Sequence, residues 1–138
     1  YNRTYNILIQ NYDIDKTKNE IAQIMLNEIK NKILDRIEQI VEMVENSSEL
    51  SDTDINTMQT EVNMLLETID MLANHIRIGN YYLLNGDYEN VQNVNLNGLG
   101  KDGQRLDIIL DTEENRNLAL TNLEYAKSIV NNNINGLE

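Results

Sequence analysis

The sequence predicts a mainly α fold: an elongated bundle of long antiparallel helices, two N-terminal and one returning C-terminal, with a small β-hairpin or β patch between them. Three observations carry this expectation. Apolar residues recur at every third or fourth position from Thr17 to Asn46, and a strict heptad runs from Ile55 to Ile76. Turn pairs and short β-rich runs then fill the stretch after Arg77, before a third apolar stripe begins near Glu113.

In the first helix Ala22, Leu26, Ile29, Ile33, Ile37, Ile40 and Val44 make the stripe, interleaved with Glu, Lys, Asp and Gln. Ahead of it, Tyr1 to Tyr12 (YNRTYNILIQNY) shows no firm period, and Ile7-Leu8-Ile9 reads equally as strand or frayed helix. The run NSSELSDTDINTMQTEV, from Asn46 to Val62, breaks the helical pattern because Asn46, Ser47 and Ser48 favour side-chain bonds to their own backbone. Ser51-Asp52-Thr53-Asp54 has the spacing of a capping box, which makes Ser51 the expected N-cap of a second helix over Asp52 to Ile76. That helix carries Ile55, Met58, Val62, Leu65, Ile69, Leu72 and Ile76 at alternating spacings of three and four. A short connection makes the two helices antiparallel neighbours, and Leu66 and Ala73 widen the second stripe toward a third helix.

Gly79-Asn80, Asn85-Gly86 and Asn97-Gly98 are not helical: these pairs accept positive φ. Tyr81 to Leu84, Val91 to Leu96 and Arg105 to Leu110 are the expected strands. The third helix follows on Leu118, Leu120, Leu123, Ala126, Ile129, Val130 and Ile134, and its Asn131-Asn132-Asn133 run predicts a frayed last turn. With 138 residues, no internal repeat and no separating linker, the chain is read as one domain. Its start at Tyr1 and its ending Gly136-Leu137-Glu138 are read as those of a fragment excised from a longer protein.

Composition narrows the function classes. A formal charge of −12, from 23 acidic and 11 basic residues, argues against nucleic acid and anionic membrane as partners. The absence of Cys excludes disulfides, thiolate metal sites and thiol nucleophiles. His75, the single histidine, reads as a base or a ligand, or as a solvent-facing position at a helix C-terminus; without Cys its co-ligands would all be carboxylates, which favours the second.

Asp13 to Thr17 and Asp52 to Asn56 alternate oxygen side chains as calcium loops do. Both lack the glycine at the sixth position (Lys18, Thr57) and the glutamate at the twelfth (Ile24, Asn63), so both read as helix starts. Gly98, Gly100 and Gly103 lie between strand-like runs and open no helix, so they form a turn rather than a phosphate loop. No cofactor and no catalytic set is expected, and the chain is not read as an enzyme.

Several stretches occur in the order of a known pattern: Ile33-Leu34-Asp35-Arg36, Leu50-Ser51-Asp52-Thr53-Asp54, Gln59-Thr60-Glu61-Val62, Leu65-Leu66-Glu67-Thr68-Ile69-Asp70 and Ala73-Asn74. Together with Asp102-Gly103-Gln104-Arg105-Leu106-Asp107-Ile108, this resembles the bacterial flagellin family over about 80 residues. The resemblance implies the rod-like D1 core: two long helices, a β-hairpin and a returning helix, in a subunit exported through the flagellar channel, with an export chaperone as possible partner. It implies a structural, motility-related role outside the cell, with other copies of the chain or neighbouring flagellar subunits as partners. The hook-filament junction protein of the same superfamily shares this region and stays open as an alternative, as does an unrelated helical-hairpin interaction module. The family's terminal filament-core segments are not recognisable here, so unaided polymerisation is not expected.

Many flagellins are also sensed by an innate toll-like receptor through this region. The matching positions here are Arg36, Ile40 and Glu61. Because Glu38 reverses a neighbouring charge, weak or absent recognition is the expectation.

Overall fold

A computed structural model of the protein describes residues 16–86 and 95–137. Three helices and one two-stranded antiparallel sheet make up the regular structure among the described residues, so the fold is mainly helical. The Tyr1 to Tyr12 segment, the start of the Asp13 to Thr17 run and Val91 to Val94 of the second expected strand lie outside them.

Helix α1 covers residues 16–46 and is not uniform. Its middle, Ile29–Leu34, is a π-helical turn in which the Asp35 amide donates to the Lys30 carbonyl five residues back, and regular α-helix resumes over Asp35–Asn46. The reason is legible in the packing. Ala22, Leu26, Ile29 and Ile33 form one strict four-three seam; Leu34, Ile37, Val41 and Val44 form another; all eight are buried. The seams differ in phase by one residue, and a π turn accommodates one extra residue without rotating the remainder of the helix away from its partners.

Ser47 leaves the helix with φ −111° and ψ 125°, which turns the chain. Ser51 caps α2 (Asp52–His75) in both directions. Its Oγ accepts from the Asp54 amide and its own amide donates to Asp54 Oδ2, each at 3.1 Å, while Asp52 and Asp54 meet the positive end of the helix dipole.

After α2 the chain makes a minimal hairpin. Strand β1 (Arg77–Ile78) pairs with β2 (Tyr81–Tyr82) in the register Arg77 to Tyr82 and Ile78 to Tyr81. Gly79 sits in the connection with φ +58°, a conformation that side-chain-bearing residues rarely adopt. The expected strand from Tyr81 to Leu84 is therefore shorter than its β-rich sequence suggested, because Leu83 and Leu84 leave the ladder to enter the core.

Two 3₁₀ turns, Leu96–Gly98 and Lys101–Gly103, follow. The Gly100 amide donates to the Gln104 carbonyl at 2.6 Å, and a Cβ at Gly100 would come within 2.7 Å of two main-chain oxygens. Only glycine fits there.

The third expected strand, Arg105 to Leu110, is a correction. It alternates in burial as a strand does, with Leu106, Ile108 and Leu110 inside and Arg105, Asp107 and Ile109 outside, yet among the described residues it joins no ladder. Its partners among the described residues lie on helices, so the side chains of Gln59 and Arg116 rather than a second backbone satisfy part of its polar edge.

Helix α3 (Glu113–Gly136) is capped by Thr112, whose hydroxyl accepts from the Asn115 amide. It runs antiparallel to α1: Arg116 meets Glu45, Lys127 meets Asp35 and Glu38, and Gln23 donates to the Ile134 carbonyl. Two expectations change here. Leu118 points outward with 57% exposure, whereas Ala119 is buried in its place. The last turn does not fray, since the helix continues to Gly136 with Asn133 buried and Leu137 closing the core.

Candidate interaction face

The stripe of α2 is rotated from the heptad read in the sequence. Its buried line is Val62, Leu66, Ile69 and Ala73. Of the seven heptad positions, only Val62 and Ile69 are buried; Ile55, Met58, Leu65, Leu72 and Ile76 are half-buried at the margin of the core. The core is entered from the Leu66 and Ala73 side because α2 must face both α1 and the extended run 104–110. Met64 and Met71 lie fully outside, at 62% and 53% exposure.

On the flank toward α1, Arg36 donates from Nε to Glu61 Oε1 at 2.9 Å and from Nη2 to Oε2 at 3.2 Å, a two-pronged ion pair. The hydrogen bond and the charge of Glu61 raise the Arg36 pKa further above its already high value. Both side chains remain about two-fifths exposed, so the pair fixes alignment more than it stabilises. Ile40, matched to the receptor-contact set with these two, has no exposed surface at all. It belongs to the core, and a receptor could not touch its side chain without unfolding the helix pair; this corrects its assignment as a contact position.

On the other flank Gln59 performs a task that its sequence position did not reveal. Its Nε2 donates to the Ile108 carbonyl and its Oε1 accepts from the Leu110 amide, both at 2.8 Å. One carboxamide thus stands in for one residue of a parallel neighbouring strand, holding the extended run against α2. Farther along, Arg105 pairs with Asp70 at 2.6 Å, and Asn97 donates to Asn74. Between Gln59 and Asp70 on α2 opens a cavity of about 500 Å³, walled by Asn63, Leu66 and Glu67 and by residues 104–107. A smaller one of about 110 Å³ separates Asp107 and Ile109 from Asn115, Leu118, Ala119 and Asn122 of α3.

Arg116 and Lys127 were also not singled out by spacing. Each links α3 to α1 from half-buried positions. Partial burial alone would lower the Lys127 pKa, but hydrogen bonds and charge from Asp35 and Glu38 outweigh it, and the net shift is upward. A one-dimensional pattern shows that charges flank a stripe, not which of them meet across the fold. His75 is exposed, with Nδ1 3.2 Å from the Met71 carbonyl oxygen one turn back. Asp52 to Asn56 forms the first turn of α2. Among the described residues no group of three potential ligating side chains converges on a metal position, and no helix is long and apolar enough to cross a membrane.

No family model, curated protein or solved structure matches the chain.

Proposed function

We propose that the chain is the D1-type core of a flagellin-like structural subunit, one that works by packing helices against neighbouring copies in an extracellular filament. The supporting observation is the way the resembling stretches lie together. The Leu50 to Asp54 stretch supplies the capped reversal, and it brings Arg36 of the first motif onto Glu61 of the next at 2.9 Å. The element order of two antiparallel helices, a short hairpin and a helix returning along the first agrees with this reading.

The function is mechanical and needs no cofactor: the buried stripes hold the rod, and residues such as Met64 and Met71 remain to meet neighbours. The hook-filament junction protein is the alternative within the superfamily, and an export chaperone remains a partner in either case. Toll-like receptor recognition is expected to be weak, since Arg36 and Glu61 engage each other and Ile40 is buried. Nanomolar binding to the receptor ectodomain would contradict that.

Sedimentation and small-angle scattering of the chain, alone and with the full-length native subunit, test the proposal. An elongated monomer that joins or caps filaments supports it. A compact body indifferent to filaments, or a tight dimer, overturns it. One observation favours a second reading: five heptad residues of α2 are only half-buried, as they would be if a helical-hairpin module used them as a dimer seam.

A further inference from the structure

The edge of the extended run that faces α2 is only partly satisfied. Gln59 takes the Ile108 carbonyl and the Leu110 amide, and successive residues of an extended chain turn their main-chain groups to opposite edges. Leu106 therefore presents its amide and carbonyl to the same edge as Ile108, beside the cavity of about 500 Å³. Neither group has a hydrogen-bond partner among the described residues, although Leu106 is only 4% exposed. Main-chain groups of a buried residue are ordinarily paired with protein or ordered water, so any partner of the Leu106 amide and carbonyl must reach them through the cavity. The cavity's size is that of a binding site, and its walls carry the carboxylates of Glu67 and Asp107 without an ion-pair partner among the described residues; Arg105 is occupied by Asp70.

We propose that this groove, between α2 and residues 104–107, receives an extended segment of a partner protein. The segment adds as a short strand to Leu106 and places a basic side chain between Glu67 and Asp107. The Gln59 carboxamide limits its length by closing the same edge at Ile108. A second folded copy is not the occupant, because the same edge of that copy is flanked by its own α2. A chain of net charge −12 also selects against an acidic partner and for a basic one. The pairing is main-chain recognition, with charge supplying selectivity. This inference is independent of the flagellin reading.

The test is a titration of the ¹⁵N-labelled chain with the peptide acetyl-Lys-Val-Lys-Val-Lys-amide. The expected result is a saturable shift of the Leu106 amide and a roughly tenfold slowing of its hydrogen exchange at saturation. In antiparallel pairing the residue opposite Leu106 shares its inward face and is a valine, while the lysines share the outward face of Asp107. N-methylation of both valines removes the donor to the Leu106 carbonyl in that register and should weaken binding at least roughly tenfold. Acetyl-Glu-Val-Glu-Val-Glu-amide should not bind. Asn63→Trp, at an exposed position on the cavity wall, and Glu67→Lys should each abolish binding while leaving the circular dichroism unchanged. No saturable shift at millimolar peptide overturns the proposal. Equal binding of the acidic or N-methylated peptide, or of lysine amide alone, also overturns it, because each removes strand pairing or charge as the source of recognition.

Discussion

Among the described residues Arg116 and Glu45 form the best-shielded ion pair between two helices: Arg116 Nε donates to Glu45 Oε1 at 2.6 Å, with 17% and 21% of the side chains exposed. The same guanidinium donates from Nη1 to the Leu110 carbonyl at 2.8 Å. One side chain thus joins the end of α1, the start of α3 and the last residue of the extended run. Arg116→Ala is expected to cost about 2 kcal/mol, because it strands a shielded carboxylate and a carbonyl together. For a chain of this size that lowers Tm by roughly 6–10 °C. A double-mutant cycle with Glu45→Ala in thermal unfolding should return a coupling of at least about 1 kcal/mol. A coupling near zero would mean that the Leu110 carbonyl alone holds the arginine.

The helices themselves were legible because each buries one stripe, and a stripe repeats in sequence with the helical period. Ala22, Leu26, Ile29, Ile33, Ile37, Ile40 and Val44 all lie in the core, as their spacing requires. The capping box at Ser51 was legible for a similar reason, since its four residues interact with one another and little else. What spacing could not show was phase and partnership. Leu65 and Leu66 are equally apolar neighbours, and only the direction of α1 and the 104–110 run decides that Leu66 is the buried one. Arg105 to Leu110 has a strand's alternation, but alternation reports two faces and not a ladder. Gln59 was invisible because a glutamine in an amphipathic helix is ordinary until its non-local acceptor is known.

The phase of α2 gives a pair of contrasting substitutions. Leu66→Asp places a carboxylate where 6% of the residue is exposed, and it should unfold the chain or cost several kcal/mol. Leu65→Asp, at the half-buried margin, should cost about 1–2 kcal/mol and leave the helical circular dichroism in place. If α2 instead supplied a dimer seam, Leu65→Asp would dissociate a dimer in sedimentation. A monomer before and after the substitution rejects the seam.

Lys127 makes a prediction about alkaline pH. Its Nζ lies 2.7 Å from Asp35 and 2.5 Å from Glu38, and the folded state holds its pKa above the ordinary 10.5. A group raised on folding contributes fully at pH below its unfolded value and loses that contribution as pH rises through the folded one. The wild type should therefore be more stable than Lys127→Met by about 1 kcal/mol at pH 7. The gap should begin to close above pH 10.5, read as the difference between two urea-unfolding series. A gap that stays constant through that range would assign the effect of Lys127 to its alkyl packing.

The π turn of α1 makes the sharpest prediction about sequence and register. The two seams, ending at Ile33 and beginning at Leu34, differ by one residue, so removing one residue inside the turn should merge them into a single strict four-three repeat. Deleting the exposed Asn31 places Leu34, Ile37, Val41 and Val44 on the continuation of Ala22, Leu26 and Ile29, with regular α-helical hydrogen bonds throughout. That variant should stay folded, with Tm within a few degrees of wild type. Deleting the equally exposed Gln39 has the opposite result. It turns the end of α1 by about 100° and carries Glu42 and Glu45 to the positions of Val41 and Val44, costing several kcal/mol. Thermal unfolding of the two deletions side by side decides the matter. If both collapse equally, the turn is not a one-residue insertion in a continuous seam, and the bulge must be held by contacts specific to residues 29–34.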